Sequence, residues 1–108
     1  MLPKEQRLAG VDFPPRSSKR TRNPLFLVES YRRRDGISVR NRFGVVISRV
    51  VDHRSVVRHR LKRDILRAVA EWPPRGLDIL IVANKKAVQA DFPTIRAELE
   101  RSLQHIID

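Results

Sequence analysis

The apolar positions of this chain change their spacing along its length, and each spacing predicts a different element. From Leu25 to Tyr31 the run LFLVESY is rich in aliphatic and aromatic residues, and FGVVIS from Phe43 to Ser48 repeats that signature. Both predict strands, because branched and aromatic side chains suit a pleated surface. Between them RRRDGISVRNR has turn residues at Asp35-Gly36, so a loop or hairpin joins the strands, and Ile37 to Arg40 can extend the second.

After Ser48 the spacing becomes helical. At about 100° per residue, Val57, Leu61, Ile65, Ala68, Val69 and Trp72 share one apolar stripe. His59, Arg60, Arg63, Asp64 and Arg67 fall on the far side, with Arg58 and Lys62 at the border. Pro73-Pro74 stops this helix, since proline lacks an amide proton and clashes with the preceding turn. LDILIVA, Leu77 to Ala83, is apolar enough for a strand buried on both faces, reached through the helix as a β-α-β unit. Phe92-Pro93 opens a second amphipathic helix, with Ile95, Leu99, Leu103 and Ile106 along one side.

Residues 1–24 hold four of the seven prolines and a basic patch from Arg16 to Arg22. They predict an N-terminal arm with at most one short helix, near Lys4 to Leu8. With no internal repeat, the expected fold is one domain over residues 1–108, an α+β sandwich in the order α-β-β-(β)-α-β-α.

Charge adds what periodicity lacks. Lys and Arg number 23 against 12 Asp and Glu, a formal charge of +11. Such a field repels itself and attracts phosphate-rich partners, which puts nucleic acid first among them. No membrane partner is expected, because the longest apolar stretch, Leu77 to Ala83, is short and interrupted by Asp78. MLPKEQRLAGVDF lacks the layout of a secretion signal and there is no cysteine, so a reducing cytoplasm is the expected location.

An enzyme reading would use His53, His59, Asp52 and Asp64 as acid, base or metal ligands. The spacing speaks against it: His59 and Asp64 lie roughly 140° apart around a helix. His105 is read as a solvated surface histidine, the four glycines are too scattered for a phosphate loop, and no metal site is expected on the protein.

The cationic helix differs. Arg54, Arg58, Arg60, Lys62, Arg63 and Arg67 face one carboxylate within the helix, Asp64. A solvated face laced with ion pairs needs acids at matching spacing, and like charges otherwise repel by a few tenths of a kcal/mol per pair. These six are therefore expected to meet RNA or DNA phosphates.

Four blocks together resemble the protein subunit of bacterial ribonuclease P. MLPKEQRL with Asp12-Phe13 looks like that family's opening, and Arg42-Phe43-Gly44-Val45-Val46-Ile47-Ser48-Arg49 looks like its Arg-x-Gly strand ending in Ser-Lys. Arg58-His59-Arg60-Leu61-Lys62-Arg63 is similar to its arginine-rich helix, and Asp78 to Ala83 with Phe92 to Leu103 is similar to its closing strand and helix. The literal Arg40-Asn41-Arg42 precedes a strand and is treated as a decoy for that helix signature.

The resemblance implies a ribosomal-protein-S5-domain-2-like sandwich whose β-α-β crossover is left-handed, against the usual rule. It implies a non-catalytic subunit of an endoribonuclease: the RNA subunit removes the 5′ leader of precursor tRNA with Mg²⁺ held by RNA, and the protein, a monomer in the holoenzyme, supports both RNAs. Carried over, Arg58, Arg60, Lys62 and Arg63, with Arg54 and Arg67 beside them, would contact the ribonuclease P RNA. Phe13, Ser48 and Arg49, with Arg42, would line the leader cleft. The chain departs from the pattern at His59, at Val50 in place of a lysine, at Asp52-His53 with one extra residue before the helix, and at Pro14-Pro15, after which Ser17 replaces an aromatic. A general structured-RNA or ribosome-associated binder with no cleavage role is the alternative expectation.

Overall fold

The computed structural model describes residues 19–32 and 40–107. Four strands form one sheet: β1 (Lys19–Arg22), β2 (Phe26–Arg32), β3 (Arg42–Val46) and β4 (Leu77–Ala83), in the order β1-β2-β4-β3. Helix α1 (Ser55–Val69) lies between β3 and β4 in sequence, and a short 3-10 turn (Lys85–Gln89) leads from β4 to α2 (Phe92–Ile107). β4 runs antiparallel to β2 and parallel to β3. The parallel β3-α1-β4 connection is thus the crossover, and its details are consistent with the left-handed form implied by the resemblance.

One face of the sheet and both helices share a single core. Phe26, Val28, Phe43, Ile79, Ile81 and Ala83 meet Leu61, Ile65, Val69, Ile95, Leu99, Leu103 and Ile106 there. The stripes read from sequence are the buried sides of both helices, with Leu66 added to that of α1 and Val57 only half-buried.

Trp72, expected as the last position of the α1 stripe, lies beyond the helix, which ends at Val69. The Trp72 amide donates to Val69 O at 3.0 Å. Its ring still enters the core, edge-on to Phe43 with centroids 5.8 Å apart. Following Pro73-Pro74, Gly76 has a φ of 66°, where a Cβ is unfavourable. Gly76→Ala is expected to cost about 1 to 2 kcal/mol in denaturant unfolding, followed through the single tryptophan.

Other boundaries also differ from expectation. Lys19–Arg22, assigned above to the arm, is a strand. It pairs with β2 in the register Lys19↔Ser30 to Arg22↔Leu27, and Asn23 fixes the turn by accepting from the amides of Leu25 and Phe26 at 2.9 and 2.8 Å. No hydrophobic alternation marks KRTR, because an edge strand rich in cations needs only a partner's free backbone. β3 ends at Val46, two residues short of Ser48, and Arg40 is outside it. β4 buries Ile79, Ile81 and Ala83 in the core, but Leu80 and Val82 on its other face are half-buried. The expected helix at Lys4 to Leu8, the turn at Asp35-Gly36 and the extension from Ile37 to Val39 lie outside the described residues.

Candidate nucleic-acid interface

Helix α1 forms because its apolar positions recur at helical spacing, and it orients itself by burying Leu61, Ile65, Leu66, Ala68 and Val69. That orientation leaves His59, Arg60, Lys62, Arg63 and Arg67 exposed, with Arg58 and Asp64 half-buried. The cationic row therefore faces away from the core.

Tertiary structure divides this row by partner. Arg54 is bound by Asp52, through Nε to Oδ1 at 3.0 Å and Nη2 to Oδ2 at 2.8 Å. The pair holds the Asp52 carboxyl far below the usual carboxylate range and raises Arg54 above its ordinary value. The helix thus meets a second carboxylate besides Asp64, contrary to the sequence reading. Arg58 Nη1 donates to Asp52 O at 2.9 Å, and Arg60 Nη2 donates to Val88 O at 2.8 Å. The Arg67 guanidinium lies 4.1 Å from the centre of the Phe92 ring. Carbonyls and rings direct these groups without neutralising them. Lys62 and Arg63 have no hydrogen-bond or ion-pair partner among the described residues, and neither does Asp64 pair with any cation there.

The Arg60 bond also brings in a segment that sequence reasoning passed over. Lys85 and Lys86 are exposed on the 3-10 turn, which is anchored by the buried Ala87 and starts at an Asn84 cap. They extend the positive surface beyond α1. Their signal in the sequence is only a Lys-Lys pair after a strand, which gives no hint that the chain there runs beside Arg60.

The second group of expected site residues lies on the sheet face away from the helices. Alternation puts Arg42, Gly44 and Val46 of β3 on that face with Asp78, Leu80 and Val82 of β4 and with Leu27, Glu29 and Tyr31 of β2. Arg42 is not presented freely: it clamps Asp78, directly opposite in register, through Nε to Oδ1 at 2.7 Å and Nη2 to Oδ2 at 2.8 Å. Glu29 accepts from Tyr31 Oη at 2.7 Å and pairs with Arg20 at 3.1 Å. Glu29 and Asp78 are thereby each paired with an arginine. Ser48 and Arg49 are exposed just past the end of β3, at a turn closed by Val51 N to Ser48 O at 3.1 Å. Phe13 lies outside the described residues. Tyr31, an aromatic on this face, is legible in the sequence only as part of a strand.

Asn41, set aside above with the decoy, is a structural hub. Its Oδ1 accepts from the amides of Arg75 and Leu77 at 3.0 and 3.1 Å, and its Nδ2 donates to Pro73 O at 3.0 Å. The histidines considered for catalysis, His53 and His59, are exposed and separate, and no group of three or more His, Asp or Glu among the described residues could hold a metal ion.

Fold and surface together define the class: a small α+β domain that displays a cationic helix on one side and an arginine-bearing sheet face on the other. A family model described as Ribonuclease P matches residues 12–107, and the chain belongs to that family. It is 38% identical over 65 residues to a ribonuclease P protein component of Cyanothece sp., covering 57% of this chain and 50% of the relative. A second such component, from Synechocystis sp., is 32% identical over 64 residues, with 56% and 52% covered. The chain spans about half the length of the curated relatives it matches. Among solved structures it is similar to the ribonuclease P protein of Thermotoga maritima, with a TM-score of 0.71, 27% identity and 82% and 84% of the two chains covered. The Staphylococcus aureus ribonuclease P protein shares the fold, with a TM-score of 0.69 at 22% identity over 81% of this chain and 79% of that one.

Proposed function

We propose that this chain is the protein cofactor of ribonuclease P, an RNA-binding subunit that supports RNA-catalysed removal of the 5′ leader from precursor tRNA. The observation that carries this reading is the exposed row on α1, where Lys62 and Arg63 have no partner among the described residues and Arg58, Arg60 and Arg67 keep their charge. On this reading the row contacts the phosphates of the catalytic RNA.

The leader lies against the sheet face away from α1 and α2. Half-buried Leu27, Leu80, Val82 and Tyr31 supply apolar and aromatic surface there, and Ser48 and Arg49 stand at its end. Stacking with phosphate attraction binds single strands without choosing sequence. Arg42 serves that surface mainly by neutralising Asp78, so that a polyanion does not meet that carboxylate bare. Mg²⁺ is held by RNA, the protein acts as a monomer in the holoenzyme, and its location is the cytoplasm.

The test is reconstitution at low Mg²⁺. Addition of the chain to a bacterial ribonuclease P RNA is expected to restore cleavage of precursor tRNA, measured as released leader. RNA binding with no stimulation would point instead to a general RNA-binding protein.

A further inference from the structure

The junction before α1 carries an acid in the middle of the cationic surface, and its contacts are more extensive than those of a passing ion pair. Asp52 Oδ1 accepts from the Arg54 amide at 2.9 Å as well as from Nε at 3.0 Å, and Oδ2 accepts from Nη2 at 2.8 Å. The carbonyl of the same residue receives Arg58 Nη1 at 2.9 Å. The Asp52 side chain is only 10% exposed while that of Arg54 is 61% exposed, so the guanidinium lies over the carboxylate. Arg54 is itself the N-cap of α1, in an extended conformation and without a side-chain cap bond.

One residue thus holds both the first and the second arginine of the row, by two different kinds of acceptor. A two-pronged carboxylate neutralises its arginine and fills one of the two forks through which a phosphate could be held. A carbonyl aims its arginine but leaves the charge in place.

We infer that Asp52 is a positioning residue of the RNA interface, which withholds Arg54 from phosphate and aims Arg58 toward it. This rests on the RNA-binding reading above. With its Nε and Nη2 edge seated on Asp52, Arg54 offers a phosphate only its remaining N–H groups, with the charge already balanced by the carboxylate, so that contact gains little. The bond to Arg54 holds the carboxyl below its ordinary range, which favours the ionised form that makes these contacts. It also accounts for the altered junction: where the resemblance expects a Gly-Asn turn, Asp52-His53 and one extra residue supply a carboxylate that ties down the chain at the start of the helix.

The experiment measures binding of the full chain, Asp52→Asn, Arg54→Ala and the double variant to a bacterial ribonuclease P RNA over a range of salt, with a heparin oligosaccharide as a second polyanion. Freeing Arg54 adds one ionic contact, so Asp52→Asn is expected to steepen the slope of log affinity against log salt by about one unit, which makes a fourfold salt reduction worth about threefold more than in the parent. Arg54→Ala is expected to leave the parent slope, and the double variant to return to it. A shallower slope in Arg54→Ala, an unchanged slope in a folded Asp52→Asn, or a double variant that stays steep would overturn the inference. Tryptophan fluorescence verifies folding, and if Asp52→Asn fails to fold, Arg54→Ala decides alone. Should the parent fail to bind the RNA, the proposed function fails, while the heparin series still reads the effect of Asp52.

Discussion

Replacing Arg60, Lys62 and Arg63 together by alanine is expected to lower the salt dependence of ribonuclease P RNA binding by about two to three log units per log unit of salt. Each residue projects a charge from the exposed side of α1, and each phosphate that the variant leaves unneutralised keeps about one counterion that binding would otherwise release. Arg60 spends one N–H on Val88 O, yet guanidinium has five donors and a neutral carbonyl leaves its charge intact. At roughly 1.5 kcal/mol per charge-assisted bond, the triple variant is expected to bind about 10³-fold more weakly near physiological salt.

Stability should hardly move, because these side chains are exposed and their mutual repulsion is relieved at the same time. Binding titrations at several salt concentrations, with denaturant unfolding in parallel, check both parts. An unchanged salt slope in the folded variant would show that α1 is not the phosphate-binding surface.

Asp78→Ala is expected to act in the opposite way, with a large loss of stability of about 3 to 5 kcal/mol. Asp78 is 3% exposed on the central strand β4, and its two oxygens receive Arg42 in a fork geometry. Forming such a pair contributes little net free energy, because desolvation offsets most of the attraction, but removing one partner leaves the other charge desolvated and uncompensated. Arg42 is 30% exposed along its side chain. Part of the loss is therefore recovered as the guanidinium turns to water, and the lower end of the range is expected. Denaturant midpoints followed by tryptophan emission measure it. The double variant Arg42→Ala/Asp78→Ala is expected to recover part of the loss, since it removes the charge that Asp78 no longer balances. A double variant as unstable as the sum of the two singles would show that the residues act independently.

The pairing of Arg42 with Asp78 shows why the candidate site was only partly legible. Arg42 stands out in the sequence as a cation in the right block, but its partner lies 36 residues away and becomes its neighbour only through the parallel register of β3 and β4. The same applies to Arg60 and Val88, 28 residues apart, and to Arg67 over Phe92. Asp52 and Arg54 are two residues apart, yet the sequence offers Asp52 only as a possible acid or metal ligand, because nothing in spacing alone shows a carboxylate binding the arginine two residues on.

Where local periodicity carries the information, the sequence alone determined the outcome: the apolar sides of α1 and α2 and the strand character of β2 and β4, as composition alone determined the charge of +11. Those features depend on which residues follow one another, since burying an apolar side is the same requirement for any helix or strand. Only the tertiary structure decided that KRTR is a strand, that Asn41 is a hub, and that the six arginines and lysines of the row divide into one neutralised, three directed and two left without a partner among the described residues. The reason is that a cation's partner is set by packing and register across long sequence separations, and side-chain spacing within one element holds no record of either.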